Sequence, residues 1–150
     1  MSRKDKNISL ILPGLYQGNY YGAIDKEKLD LLNISAILNC GCNNYKTEKI
    51  YLKIEMEDSM NEDLLEILPK ATLFIHNNLS SGRNVYVHCK GGFSRSTSVV
   101  IGYLMKYKDF TLKKALEFVK DQNPRTKPNM GFMIQLQAYS DKLNLINKID

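Results

Sequence analysis

The chain has little cysteine, little histidine and no long apolar run. Its three cysteines, Cys40, Cys42 and Cys89, are too few and too unevenly spaced for a disulfide framework. With only two histidines, His76 and His88, beside them, a Cys/His zinc site is not expected. No stretch approaches the apolar length that spans a bilayer. Met1 to Lys6 is charged and has no signal-peptide apolar core. Ser2 stands where myristoylation needs glycine, and Asn147 to Asp150 is not a prenylation box. There is no arginine-rich block. The net charge of +5 comes mostly from scattered lysines, which usually form a solvated face and bias the protein mildly toward anionic partners. No repeat, low-complexity segment or linker divides the chain. These absences point to one domain over residues 1–150 with a flexible tail over 1–7. They predict a cytoplasmic monomer (the nucleus is the alternative) with no nucleic-acid partner, no membrane anchor and no cofactor.

What is present is an ordinary globular balance, 43% hydrophobic and 25% charged, in 150 residues, enough to bury a core. Ile8 to Leu12 and Leu15 to Gln17 read as an edge strand pair around Pro13-Gly14. Asp25 caps a helix from Lys26 to Leu32. Ile34 to Asn39 and Ile50 to Ile54 read as strands, with Cys40 to Asn44 as an exit loop between them. Glu55 to Asp63 is an acidic, mobile loop. Leu64, Leu68, Ala71, Ile75 and Leu79 recur at helical spacing, with Pro69 a local irregularity near the start of that helix. Val85 to His88 is the central strand. Helices follow over Arg95 to Tyr107, Leu112 to Gln122 behind a Thr111 cap, and about Met130 to Asn147. Strands alternating with helices predict a single α/β domain with a mostly parallel sheet of about five strands, and ligands at the strands' carboxyl ends.

The chemistry concentrates at the carboxyl end of the central strand, in His88-Cys89-Lys90-Gly91-Gly92-Phe93-Ser94-Arg95-Ser96. Strand, glycine loop and helix start in that order form an anion cradle. The helix N-terminus offers free N–H groups and positive potential, and the glycines let the loop curl so that its N–H groups point inward. The same field favours a thiolate at Cys89. An isolated cysteine after a strand is usually core. Cys-x5-Arg with a preceding His and a following Ser is a more specific pattern, and it favours Cys89 as a nucleophile toward phosphorus. Arg95 then clamps two phosphate oxygens, and the N–H groups from Lys90 to Arg95, through Gly91, Gly92, Phe93 and Ser94, hold the others. The leaving group needs a proton. Glu55, Glu57, Asp58, Glu62 and Asp63 are the candidates, each of which could instead be a solvated charge, and Asp63 suits a helix cap. His88, on the strand, is expected to face away from the phosphate as a buried hydrogen-bond anchor. His76 has no evident partner and is most simply structural.

These nine residues resemble the HCxxGxSRS signature of the cysteine-dependent dual-specificity protein phosphatases, in the protein tyrosine phosphatase superfamily. The resemblance covers nearly the whole chain. Ile11 to Asn19 resembles that family's opening strand pair, Ile34 to Asn39 its next strand, and Pro128-Asn129-Met130-Gly131-Phe132 the lead into its last helix. The match is to the compact, atypical members. Gly91 departs from the alanine more usual there, and is expected to add loop freedom without changing the mechanism. The resemblance implies metal-independent hydrolysis of phosphotyrosine and phosphoserine/threonine in proteins. It assigns the general acid to Asp58, with Asp63 in reserve, and has Ser96 donate to the Cys89 sulfur in the second step. Asn39 is expected to hydrogen-bond near the active loop and Asn129 to brace the entry to the last helix, both as structural residues, with Lys90 and Phe93 an outer rim. Cys40 or Cys42 could pair with an oxidised Cys89, though small residues in a turn is the more economical reading. A non-catalytic phosphoprotein-binding module, a phosphatase for a phosphoinositide or an RNA 5′ phosphate, and a rhodanese-type sulfurtransferase are the alternatives. The intact Cys89, Arg95 and Asp58 weigh against the first. Lys90 as the only loop lysine gives weak support to the second. The third has no need of Asp58 or Ser96.

Overall fold

The computed structural model describes residues 6–149, and side chains as far as Asn144. Five strands, β1 (Ile8–Leu12), β2 (Leu15–Gly18), β3 (Ile34–Cys40), β4 (Ile50–Ile54) and β5 (Asn84–His88), form one sheet in the order β1-β2-β5-β3-β4. Among the described residues only β1 and β2 pair antiparallel, as Pro13-Gly14 requires. β2, β3 and β4 join the sheet through parallel pairings, as the alternation of strands with helices predicts. The centre of the sheet is β5, flanked by β2 and β3, and the proposed loop leaves its carboxyl end.

Alternation along β5 decides what faces what. Val85 and Val87 point to a large core with α3 (Leu64–Ser80), α4 (Arg95–Tyr107), α5 (Leu112–Gln122) and α6 (Met130–Ile149), and Cys89 continues that side. Tyr86 points the other way, to a smaller core with Ile8, Ala23, Leu29, Ile34 and Ile37 under α1 (Tyr20–Ala23) and α2 (Lys26–Leu31). His88, two residues on, stacks on Tyr86 with ring centroids 5.5 Å apart. Adjacent residues of the motif therefore sit on opposite faces of the sheet.

The helices form where their apolar stripes and caps placed them. On α3, Leu64, Leu68, Ala71 and Ile75 are fully buried, and the Asp63 carboxylate accepts from Glu66 N–H at 3.2 Å. Asp25 caps α2 and Thr111 caps α5 in the same way. Pro69 lies inside α3 rather than at its edge, and the helix runs through it for 17 residues, its apolar face held by the core. One short helix was not predicted. α1 is a single turn fixed by the Asn19 side chain, which accepts from Gly22 N–H, and by Tyr20 N–H, which donates to the Lys90 carbonyl. His76 has a partner after all: its ring stacks on Tyr107 at 4.2 Å. Of the expected tail, residues 1–5 lie outside the described residues. Asn7 is engaged, its carbonyl accepting from Asn19 N–H and Tyr86 Oη–H.

Candidate active site

Ser94 sets the geometry of the phosphate loop. It is the N-cap of α4, where a serine normally turns its hydroxyl back onto the first-turn N–H groups. Here it makes no such bond. Its hydroxyl donates to Asp58 Oδ1 at 2.7 Å and accepts from Asn129 N–H at 3.0 Å. The first turn of α4 is thereby left open to an anion. Among the described residues, no protein acceptor meets the N–H groups of Lys90, Gly91, Phe93, Ser94 or Arg95. Gly92 N–H is turned onto Cys89 Sγ at 3.2 Å, with φ of +77° at Gly92, a conformation that L side chains rarely adopt. Gly91 serves a different purpose from the expected loop freedom. Its φ is not positive, and a Cβ there would run into the Phe93 ring, so its bareness makes room for that ring.

Cys89 is buried, and Ser96 Oγ lies 3.1 Å from its sulfur. Arg95 begins α4 and reaches across the loop, where Nη1 donates to the carbonyls of Gly41 (3.1 Å) and Met56 (3.3 Å). Those carbonyls lie just past the ends of β3 and β4, so two strand exits fix the guanidinium. Nε–H and the Nη2 donors remain for a phosphate fork. Gly41, missed in the sequence, is integral to this. It has φ of +89°, and a Cβ there would press on Met56 O and Arg95 Nη1. Asn39 holds the same turn, accepting from Cys42 N–H at 2.8 Å, a structural hydrogen bond near the active loop as expected of it.

Asp58 is the carboxylate brought to the loop. Besides Ser94, Asn129 Nδ2 donates to the same oxygen at 2.8 Å, and Oδ2 takes no hydrogen bond among the described residues. Asn129 is thus more than a helix brace, although its own side chain also caps α6 by accepting from Phe132 N–H. Asp63 instead caps α3 and does not line the cavity beside Arg95. Glu62 is spent in the loop, accepting from the N–H groups of Glu57 and Asp63. The segment expected to be mobile is docked. Gln135 donates to Glu62 O at 2.8 Å, and Gly131 N–H meets the Met60 sulfur at 3.2 Å. A cavity of about 670 Å³ lined by Asp58, Arg95 and the acidic loop opens beside the cradle.

His88 is fully buried. Its Nδ1 lies 3.2 Å from the Cys89 carbonyl, which can only accept, so Nδ1 carries the hydrogen. Burial pushes the imidazole pKa down to about 4, and the nearby Arg95 charge adds to this against the opposing carbonyl bond. The ring is therefore neutral at pH 7, and Nε2 accepts from Tyr45 Oη–H at 2.6 Å. Burial raises the Tyr45 pKa, which keeps it the donor. His88 is buried and hydrogen-bonded as expected of an anchor, while Tyr45 went unnoticed because it lies in a loop far from the motif. Cys40 and Cys42 are buried free thiols, and burial, reinforced by the Cys89 charge, pushes Cys40 up. Lys90 and Phe93 stand exposed at the rim. Gln17 and Asn123, also missed, are buried behind the loop.

The family described as the dual specificity phosphatase catalytic domain matches residues 15–142, and the chain belongs to that family. Dual specificity protein phosphatase 1-A of Xenopus laevis is 37% identical over 89% of this chain but only 37% of its own length. Across eight curated relatives the chain spans between 19% and 37% of their length. The crystal structure of human DUSP28 has a TM-score of 0.88 at 28% identity, covering 96% of this chain and 99% of that one. The human tyrosine phosphatase-like serine/threonine/tyrosine-interacting protein has a TM-score of 0.84 at 28% identity, over 91% and 96%.

Proposed function

We propose that this chain hydrolyses phosphate monoesters on phosphotyrosine and phosphoserine/threonine of proteins through a cysteinyl-phosphate intermediate. The observation that carries the reading is the Asp58–Ser94 bond. It ties a proton donor to the loop that holds the nucleophile and the anion donors. Cys89 Sγ attacks phosphorus while Asp58 gives its proton to the departing oxygen. The free loop N–H groups and Arg95 bear the charge on the equatorial oxygens. In the second step, Asp58 takes a proton from the attacking water and Cys89 leaves. No step calls for a metal or cofactor. Phosphoprotein substrates in the cytoplasm and a monomeric state complete the proposal, on the strength of composition and family.

The fold by itself does not require turnover, since one neighbour is named as a phosphatase-like interacting protein. What supports turnover in this chain is the coexistence of Cys89, Arg95 and a docked Asp58. The deciding experiment measures phosphate release from an aryl phosphate, from phosphotyrosine and phosphothreonine peptides, and from a phosphoinositide and a 5′-phosphorylated RNA. Vanadate-sensitive release from both peptides is expected. Release from the phosphoinositide or the RNA alone would move the substrate class. Tight peptide binding without release would leave a binding module.

A further inference from the structure

Behind the cradle runs a line of buried amides that the reaction scheme above does not use. Gln17, in the middle of β2, is fully buried, and Asn123 lies at the end of α5. Gln17 Nε2 donates to Ser96 Oγ at 2.9 Å and to the Gly92 carbonyl at 2.9 Å. Asn123 Nδ2 donates to Gln17 Oε1 at 2.9 Å and to the same Gly92 carbonyl at 3.1 Å. Asn123 Oδ1 accepts from Arg125 N–H at 3.2 Å. An amide's orientation is ordinarily ambiguous. Here backbone groups settle it at both ends, because a carbonyl can only accept and an N–H can only donate. Gly92 O demands the amino side of both residues, and Arg125 N–H demands the oxygen of Asn123.

The direction of the line therefore narrows where the Ser96 proton can go. Ser96 has one hydroxyl hydrogen, and Gln17 already fills a lone pair of its oxygen. Two acceptors remain in reach, Cys89 Sγ at 3.1 Å and the Gly18 carbonyl at a poorer 3.4 Å. We infer that Gln17, aligned by Asn123, is a positioning residue for the second half-reaction, holding the Ser96 hydrogen on the sulfur that must leave. The inference rests on the phosphatase reading. In that half-reaction a water oxygen bonds to phosphorus and the S–P bond breaks, its electron pair staying on sulfur. The water's proton passes to Asp58, and hydrogen phosphate departs. The charge that develops on sulfur is what the oriented hydroxyl meets. Without Gln17, the Ser96 hydroxyl is free to rotate toward Gly18 O, and the leaving sulfur loses its donor.

The test is pre-steady-state kinetics on an aryl phosphate with native protein, Gln17→Leu, Ser96→Ala and the double variant, with thermal unfolding followed alongside. Gln17→Leu is expected to lower kcat about tenfold while kcat/KM, which reports the first half, stays within about twofold. A burst of phenolate and a trapped phosphoenzyme should appear. Because Gln17 acts through Ser96, Gln17→Leu should cost nothing further in the Ser96→Ala background. Asn123→Ala, which frees Gln17 to turn, should shift the same quantities by about threefold, and it carries the test should Gln17→Leu fail to fold. The inference is overturned if kcat and kcat/KM fall together, if nothing changes, or if Gln17→Leu remains harmful without Ser96. No turnover by the native protein would instead overturn the phosphatase reading, and this one with it.

Discussion

The phosphate loop, residues 88–96, and the acid loop, residues 55–63, meet at one site but are built by different means. The phosphate loop is local. Its shape follows from a strand, two glycines and a helix start in direct succession, and most of its chemistry is carried by its own residues. The acid loop is placed from a distance. Asp58 is held by Ser94 and Asn129, and the rest of its loop is fastened by Gly131 and Gln135 on α6. A contiguous motif can carry nucleophile and anion donors because both act on one phosphate. The proton donor must approach the opposite side of the phosphorus, so it has to come from another part of the chain.

Substitutions in the two loops should accordingly fail in different ways. The largest effect is expected from Cys89→Ser, which removes the nucleophile but leaves the cradle. Turnover should vanish while phosphopeptide binding persists, which isothermal titration can measure beside the rate. Asp58→Ala should cost about 10²–10³-fold on phosphothreonine peptides and far less on an aryl phosphate whose leaving group needs no proton. Equal losses on both substrates would place the acid elsewhere.

This contrast also explains what could be read in advance. The order of strands and helices, the caps Asp25, Asp63 and Thr111, and the inner face of α3 are written in spacing and local chemistry, so they were legible. So was the phosphate loop. Asp58 was reached through the family resemblance, because its own sequence context offers five carboxylates with no local reason to choose. Gln17 reads as a polar residue interrupting an apolar strand, and Asn123 as a helix terminator before proline. Their partners lie on elements brought together only by the sheet and α5. Gly41 and Tyr45 escaped for the same reason, since each acts on a motif residue from the β3–β4 connection. The expected mobility of the acid loop was an inference from its charge, and it did not anticipate the side chains of α6.

His88 sharpens the comparison within the phosphate loop itself, where stability and catalysis lie on opposite faces of β5. Its pKa is depressed in the folded protein to about 4, from 6.5. The folded state thus binds its proton less readily than the unfolded state. The stabilising effect of the neutral ring is fully present above pH 6.5 and is lost as the pH falls through 4. The loss is about 3 kcal/mol for the roughly 2.5-unit depression. Urea unfolding of native protein and His88→Asn at pH 7 and pH 4 measures it. The native protein should start more stable, and the gap should narrow by about that amount on acidification. Parallel curves would mean that some other group titrates.

The smallest effect expected in this series tests the acid loop's remote support. Asn129→Ala removes one of two donors to Asp58 Oδ1 and also the side-chain cap on α6, but leaves Ser94 in place. The loss should be about tenfold in kcat/KM on phosphothreonine peptides, with much less on aryl phosphates, because positioning of the acid is what suffers. The cap contributes about 1 kcal/mol of stability, visible as a lower urea midpoint. Substituting Asn129→Asp keeps an oxygen for Phe132 N–H but opposes a carboxylate to Asp58. It should therefore restore much of the lost stability and none of the lost rate. Recovery of both together would mean that the acid loop is held by the helix start as a whole, and that the direct bond to Asp58 has no separate part in catalysis.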